Sequence, residues 1–330
     1  MPRWLWLALF AVALLLPMML GPVRLNDSHW INHVWAEQFN AAVAQGDLWP
    51  RWLPQSHDGL GAPDFYFYGP VAFWLASPFG LIGLGPWPSL LGAAALALWL
   101  SGLAMGRFLD GRTRNSALGA ALYMALPYHL IDFGMRGALA EFAAYALVPV
   151  VALGIARRRI WLIAASYALL VMTHLPTALL ASIFLIPVMT LAEAWRERAA
   201  LLRIGTGLAL GLALSAPYLL PALLLQRYVA IATMTGVPAL QAARWTILSP
   251  DPHMRDGLLM MGLTAGTLAI PALALIRRER WSWFVMGLLA MSLGLIPALW
   301  AIPLLAKVQF PWRLLVLADF GVAWIVARAT

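Results

Sequence analysis

Continuous apolar runs separated by short polar intervals fill the chain, at approximately 3–22, 69–84, 86–108, 115–131, 138–156, 159–173, 176–194, 202–222, 257–276, 281–301 and 311–328. Runs without alternation read as helices, because the strands of an outer-membrane barrel would switch between apolar and polar at every second residue. Eleven runs do not predict eleven crossings. The second, 69–84, is short and bracketed by Gly-Pro pairs. Aromatic residues also crowd its start, as in a helix lying at the membrane interface. The pattern predicts an all-α polytopic membrane protein: one transmembrane domain over 1–330 with about ten spans.

Charge placement supports that choice. If 69–84 is interfacial and Arg3 is cytoplasmic, the basic clusters at 110–114, 156–159, 193–203 and 277–280 all fall inside. If it spans, all four fall outside, against the positive-inside rule. The expected topology is therefore ten spans with both termini inside. The six histidines (His29, His33, His57, His129, His174 and His253) then lie outside or at the outer ends of spans, with Asp132, Arg136, Glu141, Gln309 and Arg313. Polar groups at the bilayer edge are costly and tend to mark function, so an outward-facing site is expected.

Composition narrows the picture further. Only 11% of residues are charged, against about 25% in soluble domains. The net charge of +8 sits in short clusters between apolar runs, which is a topology signal and not a nucleic-acid surface. The chain has no cysteine, which excludes disulfides and thiolate catalysis. The first apolar run is longer than the roughly 7–15-residue core of a signal peptide, so an uncleaved anchor is expected. No repeat of fixed period is visible.

Candidate chemistry concentrates in a first outer loop, 24–68, which is the longest polar interval. Asp27 lies just past the first span. It reads either as a general base above the bilayer or as an acidic cap of a helix starting near Trp30. His29 and His33, one helical turn apart, share a face and with Asp27 form a possible metal site; simple hydrogen bonding is the other reading. His57 and Asp58 are further possible ligands. Arg51, between Trp49 and Trp52, suits a donor phosphate or a lipid headgroup. Asp132 and Arg136 are spaced to pair, and Arg136 is the nearest cation to offset Glu141. His174 marks an outer turn. Arg313 opens the last span, with a lipid phosphate or Asp319 as its partner. A second long outer loop, 223–256, carries no readable motif.

The order of several motifs resembles the GT-C glycosyltransferases. These motifs are Trp-Pro-Arg-Trp-Leu-Pro (49–54), the Gly/Pro/Tyr-rich run 59–70 ending near Tyr68, Arg-Gly-Ala-Leu-Ala-Glu (136–141), Thr-His-Leu-Pro (173–176) and Phe-Pro-Trp-Arg (310–313). Within that superfamily they are most similar to a bacterial group labelled as membrane proteins related to 6-pyruvoyl-tetrahydropterin synthase, although nothing in the chain suggests pterin chemistry. Many relatives carry further spans or an outer domain beyond the point this sequence reaches at Thr330.

The resemblance implies an inverting transfer of a sugar from a polyprenyl-phosphate donor to an acceptor at the periplasmic face of a bacterial inner membrane, serving the cell envelope. Asp27 would be the catalytic base and Glu141 the second acidic position. Arg51, Arg136 and Arg313 would hold the phosphate, and His29, His33, His57, Asp58, Tyr68 and His174 would lie about the substrate. No cofactor is firmly implied beyond a possible divalent metal. The expected partners are the lipid-linked sugar, membrane lipids and an acceptor, with no nucleic acid. A transporter or flippase of a lipid-linked saccharide is the alternative, supported mainly by Asp319 within the last span and opposed by polar groups gathered at one face.

Overall fold

A computed structural model describes residues 1–230, 236–275 and 280–329. Apart from one isolated bridge between Leu53 and Ala62, the regular structure among the described residues is helical. Five helices are long and apolar enough to cross a membrane: Arg3–Leu20, Pro86–Leu109, Leu139–Arg157, Leu175–Ala194 and Pro252–Leu275. A sixth is a bent pair, Arg198–Leu214 and Ala216–Tyr228, which turns by 62°. The chain is a helical multi-pass membrane protein.

The long helices account for five or six of the about ten spans expected; the other apolar runs form shorter or interrupted helices. The run 115–131 divides into Ser116–Ala125 and Pro127–Gly134. The run 159–173 gives Ile160–Thr173, 281–301 begins as Arg280–Ser292, and 311–328 becomes a 3₁₀ turn followed by Leu315–Ala329. Proline explains several of these breaks, since it lacks an N–H and disfavours helix in the residue before it. Pro127, Pro217, Pro297 and Pro311 all stand where a new helical segment starts.

The second apolar run does not cross the bundle. It forms an eleven-residue helix, Val71–Leu81, about 16 Å long against a hydrocarbon core of about 30 Å. Both of its flanks stay at one end of the molecule. Before it, Phe67 O accepts a hydrogen bond from Tyr218 Oη at 2.8 Å, and Gly69 packs on the backbone of Met172. After it, Trp87 stacks on His33 with ring centroids 5.4 Å apart.

At the opposite end the charged clusters are tied together. Arg3 grips Asp110 at 2.6 and 2.7 Å, Arg112 meets Glu193 at 2.7 Å, and Arg158 meets Glu197 at 2.6 and 2.7 Å. Three of the four basic clusters expected on one face therefore share it with Arg3. Of the fourth, residues 277–279 lie outside the described residues, and Arg280 is exposed at the start of its helix.

Leu139–Arg157 is the central pillar. Alanine-rich and apolar on all sides, it is buried along nearly its whole length, as a helix without a polar face must be. Its alanines admit close approach by Pro86–Leu109, which offers Ala93, Ala94, Ala97 and Ser101 in return. Leu315–Ala329 is buried just as deeply. Small side chains thus hold the middle of the bundle, and the bulky exposed residues Trp4, Leu9, Leu202, Leu263 and Trp283 face outwards.

Candidate functional site

Glu141 sits in the first turn of the central helix, and Arg157 ends it. Sixteen positions of helix, or about 24 Å, separate the two, so Glu141 lies at the far end of the bundle from the ion-paired basic face. A cavity of about 370 Å³ opens there, lined among others by Asp27, Tyr68, Arg136, Glu141, His174 and Arg313. A cavity of about 440 Å³ between Val188, Leu191, Trp195 and Phe284 is larger but has no acid in its lining. Convergence of acids and guanidinium groups, not volume, singles out the first.

Each wall is set by a local feature of the chain. The helix Pro127–Gly134 ends in Met135 and Arg136, and Gly137 follows with φ +66°. That conformation is open mainly to glycine. It turns the chain so that Ser28 N donates to Arg136 O at 3.0 Å and Asn26 Nδ2 donates to Met135 O at 2.9 Å. Asn32 Nδ2 also donates to Gly137 O. The Asp27 loop is thereby sewn to the Arg136 loop. Asp27 itself has φ +49° and is exposed into the cavity; its Oδ1 accepts a hydrogen bond from Ser28 Oγ at 3.2 Å. It does not cap the following helix, His29–Ala44, whose N-cap is Ser28.

A Cβ on Gly137 would lie 2.5 Å from His29 N. Gly137→Ala is expected to cost more than about 1 kcal/mol, from both the clash and the left-handed backbone. It should also weaken any ligand that bridges Asp27 and Arg136. A thermal unfolding midpoint equal to that of the parent protein would show that this turn is not strained by a side chain.

Glu141 is saturated. Tyr128 Oη donates to its Oε1 at 2.7 Å, and Oε2 accepts from Arg136 Nη1 and Arg313 Nε, both at 3.2 Å. Arg136 Nη1 also meets Asp132 and Tyr128, so the Asp132–Arg136 and Arg136–Glu141 pairs expected from spacing both form. Arg313 pairs with Glu141 and donates from Nη1 to Val308 O at 2.6 Å. It does not reach Asp319, the partner considered from sequence; Asp319 accepts from Tyr145 Oη at 2.8 Å in the bundle interior. The two guanidinium groups lie beside the Phe310 ring, 5.8 and 5.0 Å from its centroid.

This arrangement fixes the cations but does not exhaust them. Among the described residues, Nε and Nη2 of Arg136 and Nη2 of Arg313 have no hydrogen-bond acceptor, so donors of two arginines remain for an anion. His174 adds no third charge. Burial pushes its imidazole down to about 3, and Nδ1 pairs with Thr177 Oγ1 at 2.7 Å. Tyr68 lines the same space.

Other residues singled out from sequence stand elsewhere. Arg51 does not reach the cavity. It stacks on Trp49 at 4.7 Å and donates to Pro217 O at 3.0 Å, stapling the first loop to the bend between the paired helices. His29 and His33 are held through Nδ1 by Asn26 O and His29 O and pack on Trp87. The metal reading of Asp27, His29 and His33 is corrected: among the described residues no three His, Asp or Glu side chains converge to hold an ion. His57 and Asp58 lie on an exposed turn, each with positive φ.

Sequence reasoning missed Tyr128, Trp245 and Trp312. Trp312 was visible only as part of the Phe-Pro-Trp-Arg motif. Tyr128 hides in an apolar run. Trp245 lies in the loop 223–256, of which 231–235 fall outside the described residues. It meets Trp312 edge-on at 4.6 Å, and Ala239 and Leu240 of the same loop also line the cavity. The chain matches no protein-family model, no curated protein and no solved structure.

Proposed function

We propose that this protein is a GT-C-type membrane glycosyltransferase that moves a sugar from a polyprenyl-phosphate donor to a hydroxyl acceptor at the outer face of a bacterial inner membrane. One observation carries the reading: a single cavity joins the exposed carboxylate of Asp27 to the unspent donors of Arg136 and Arg313. That combination suits a reaction in which a base meets an incoming hydroxyl while cations receive a departing phosphate.

In the proposed step Asp27 takes the proton of the acceptor hydroxyl as its oxygen bonds to the anomeric carbon. The bond from that carbon to the phosphate oxygen breaks, its electron pair leaves with the polyprenyl phosphate, and configuration inverts. Arg136 and Arg313 hold the phosphate and its added charge. Glu141, already engaged on both oxygens, keeps the two guanidinium groups in place and is reassigned here from catalytic to positioning residue. Tyr68 and His174 line the space left for the sugar.

The orientation is part of the proposal. The end of the bundle with Arg3, Arg112 and Arg158 is the cytoplasmic one by the positive-inside rule, which turns the cavity outwards. The shorter helices complete ten crossings, each lengthened by the turns that flank it. Because the chain has no cysteine, single replacements test the orientation directly. Gln55→Cys should react with a membrane-impermeant maleimide added to intact spheroplasts, and Arg114→Cys should react only after lysis. The reverse labelling would overturn the orientation. The activity is tested in proteoliposomes with a radiolabelled polyprenyl-phosphate hexose: release of free polyprenyl phosphate with label on an acceptor supports transfer, and label that crosses the bilayer still bound to its lipid supports a flippase instead.

A further inference from the structure

The ion pairs of the basic face leave several arginines over, Arg159 and Arg203 among them. Glu193 and Glu197 are taken by Arg112 and Arg158. Arg159 and Arg203 have no acidic partner among the described residues, and both are exposed. With Arg158 and Trp161 they line a cavity of about 600 Å³ whose lining contains no carboxylate.

The fold builds this cavity. Arg158 is in the left-handed conformation, φ +56°, and reverses the chain between Leu139–Arg157 and Ile160–Thr173. Both of its terminal nitrogens are committed to Glu197, and Nη2 also reaches Glu193 O at 3.0 Å, so the turn is pinned. Arg198–Leu214 then packs closely on Ile160–Thr173: a Cβ on Gly207 would lie 2.8 Å from Ile163 Cβ. The close packing continues away from Arg203, where a Cβ on Gly211 would lie 3.0 Å from Ala164 O. Trp161 stands at the mouth, 73% exposed.

An exposed indole at the end of an apolar helix belongs at headgroup depth. Two unneutralised guanidinium groups beside it call for an anion at the same depth, and Ile160 and Leu162 in the lining offer an apolar wall for an acyl chain. We propose that Arg159, Arg203 and Trp161 form a binding site for the phosphate headgroup of an anionic phospholipid, at the end of the molecule opposite the sugar-transfer cavity. The site is independent of that reading and stands or falls without it.

The test uses the full chain in nanodiscs and reads retained lipid by native mass spectrometry. The parent protein should keep phosphatidylglycerol in preference to phosphatidylcholine. Arg159→Gln with Arg203→Gln should weaken that retention by about 30-fold, the effect of losing two arginine–headgroup contacts. Arg114→Gln with Arg196→Gln removes the same charge from the same end and should leave retention nearly unchanged. Equal loss in both double variants would reduce the effect to general surface charge and overturn the site. Displacement of the phospholipid by inorganic phosphate at millimolar concentration would assign it to a free anion and overturn the lipid. If the first double variant fails to fold, Trp161→Ala supplies the same reading, with retention expected to fall and an unchanged value counting against the proposal.

Discussion

Asp27→Asn is expected to lower sugar transfer by about 10²–10⁴-fold, the usual contribution of a positioned general base, while donor binding changes little. The substitution keeps the size and hydrogen-bonding reach of the side chain and removes only its ability to take a proton. Asp27 is exposed, its backbone is tied to the Arg136 loop through Ser28 N and Asn26, and its carboxylate has one neighbour, Ser28 Oγ. Nothing in the fold therefore leans on its charge, and the thermal midpoint should not move. Arg136 and Arg313 are untouched, so the donor's KM should stay within a few-fold of the parent value. The effect belongs in kcat. A variant that retains a tenth or more of the parent turnover would remove Asp27 from the reaction, whatever its place in the cavity.

Much of the bundle was legible because a membrane constrains sequence so strongly. A helix that meets lipid or small-residue neighbours must be apolar throughout, so continuous runs mark helices without any periodicity. Charge placement was equally readable: Arg3, Arg112 and Arg158 sit together because each interrupts the chain at the same end. Helix length was not readable. The segment 115–131 is apolar enough to span as one rod, but Pro127 divides it, and hydropathy is blind to a missing N–H. The 62° bend at Ser215, just before Pro217, is likewise invisible to hydropathy.

Within the candidate site, what sequence revealed were charges and what it hid were partners. Asp27, Arg136, Glu141, His174 and Arg313 each stood out as a polar group in oily surroundings, and all five line one cavity. Spacing within a helix exposed the Asp132–Arg136 pair, because neighbours four apart must meet. No local rule brings Arg313 to Glu141 across 172 positions, or Trp245 onto Trp312. Arg51 shows the converse. A phosphate-binding flavour came from its flanking tryptophans, and one of them, Trp49, with Tyr66 and Pro217 O, is what occupies it.

Glu141→Gln distinguishes a positioning residue from a catalytic one. The carboxylate is buried under two guanidinium groups and a phenol. Removing its charge while keeping its shape leaves Arg136 facing Asp132 alone and Arg313 with no carboxylate partner among the described residues. Breaking a buried pair on one side costs about 3–5 kcal/mol, so the unfolding midpoint should drop clearly, unlike that of Asp27→Asn. The two arginines then lack the anchor that aims them, and donor KM should rise more than kcat falls. Added anion should partly restore the fold, since polyprenyl phosphate or inorganic phosphate supplies the missing negative charge; the midpoint of Glu141→Gln should therefore rise more with phosphate than that of the parent protein. A catalytic carboxylate predicts the opposite set: an undisturbed midpoint, an unchanged KM and a collapse confined to kcat. That outcome would return Glu141 to the chemistry and leave the arginines to be held by Asp132, Tyr128 and Val308 O.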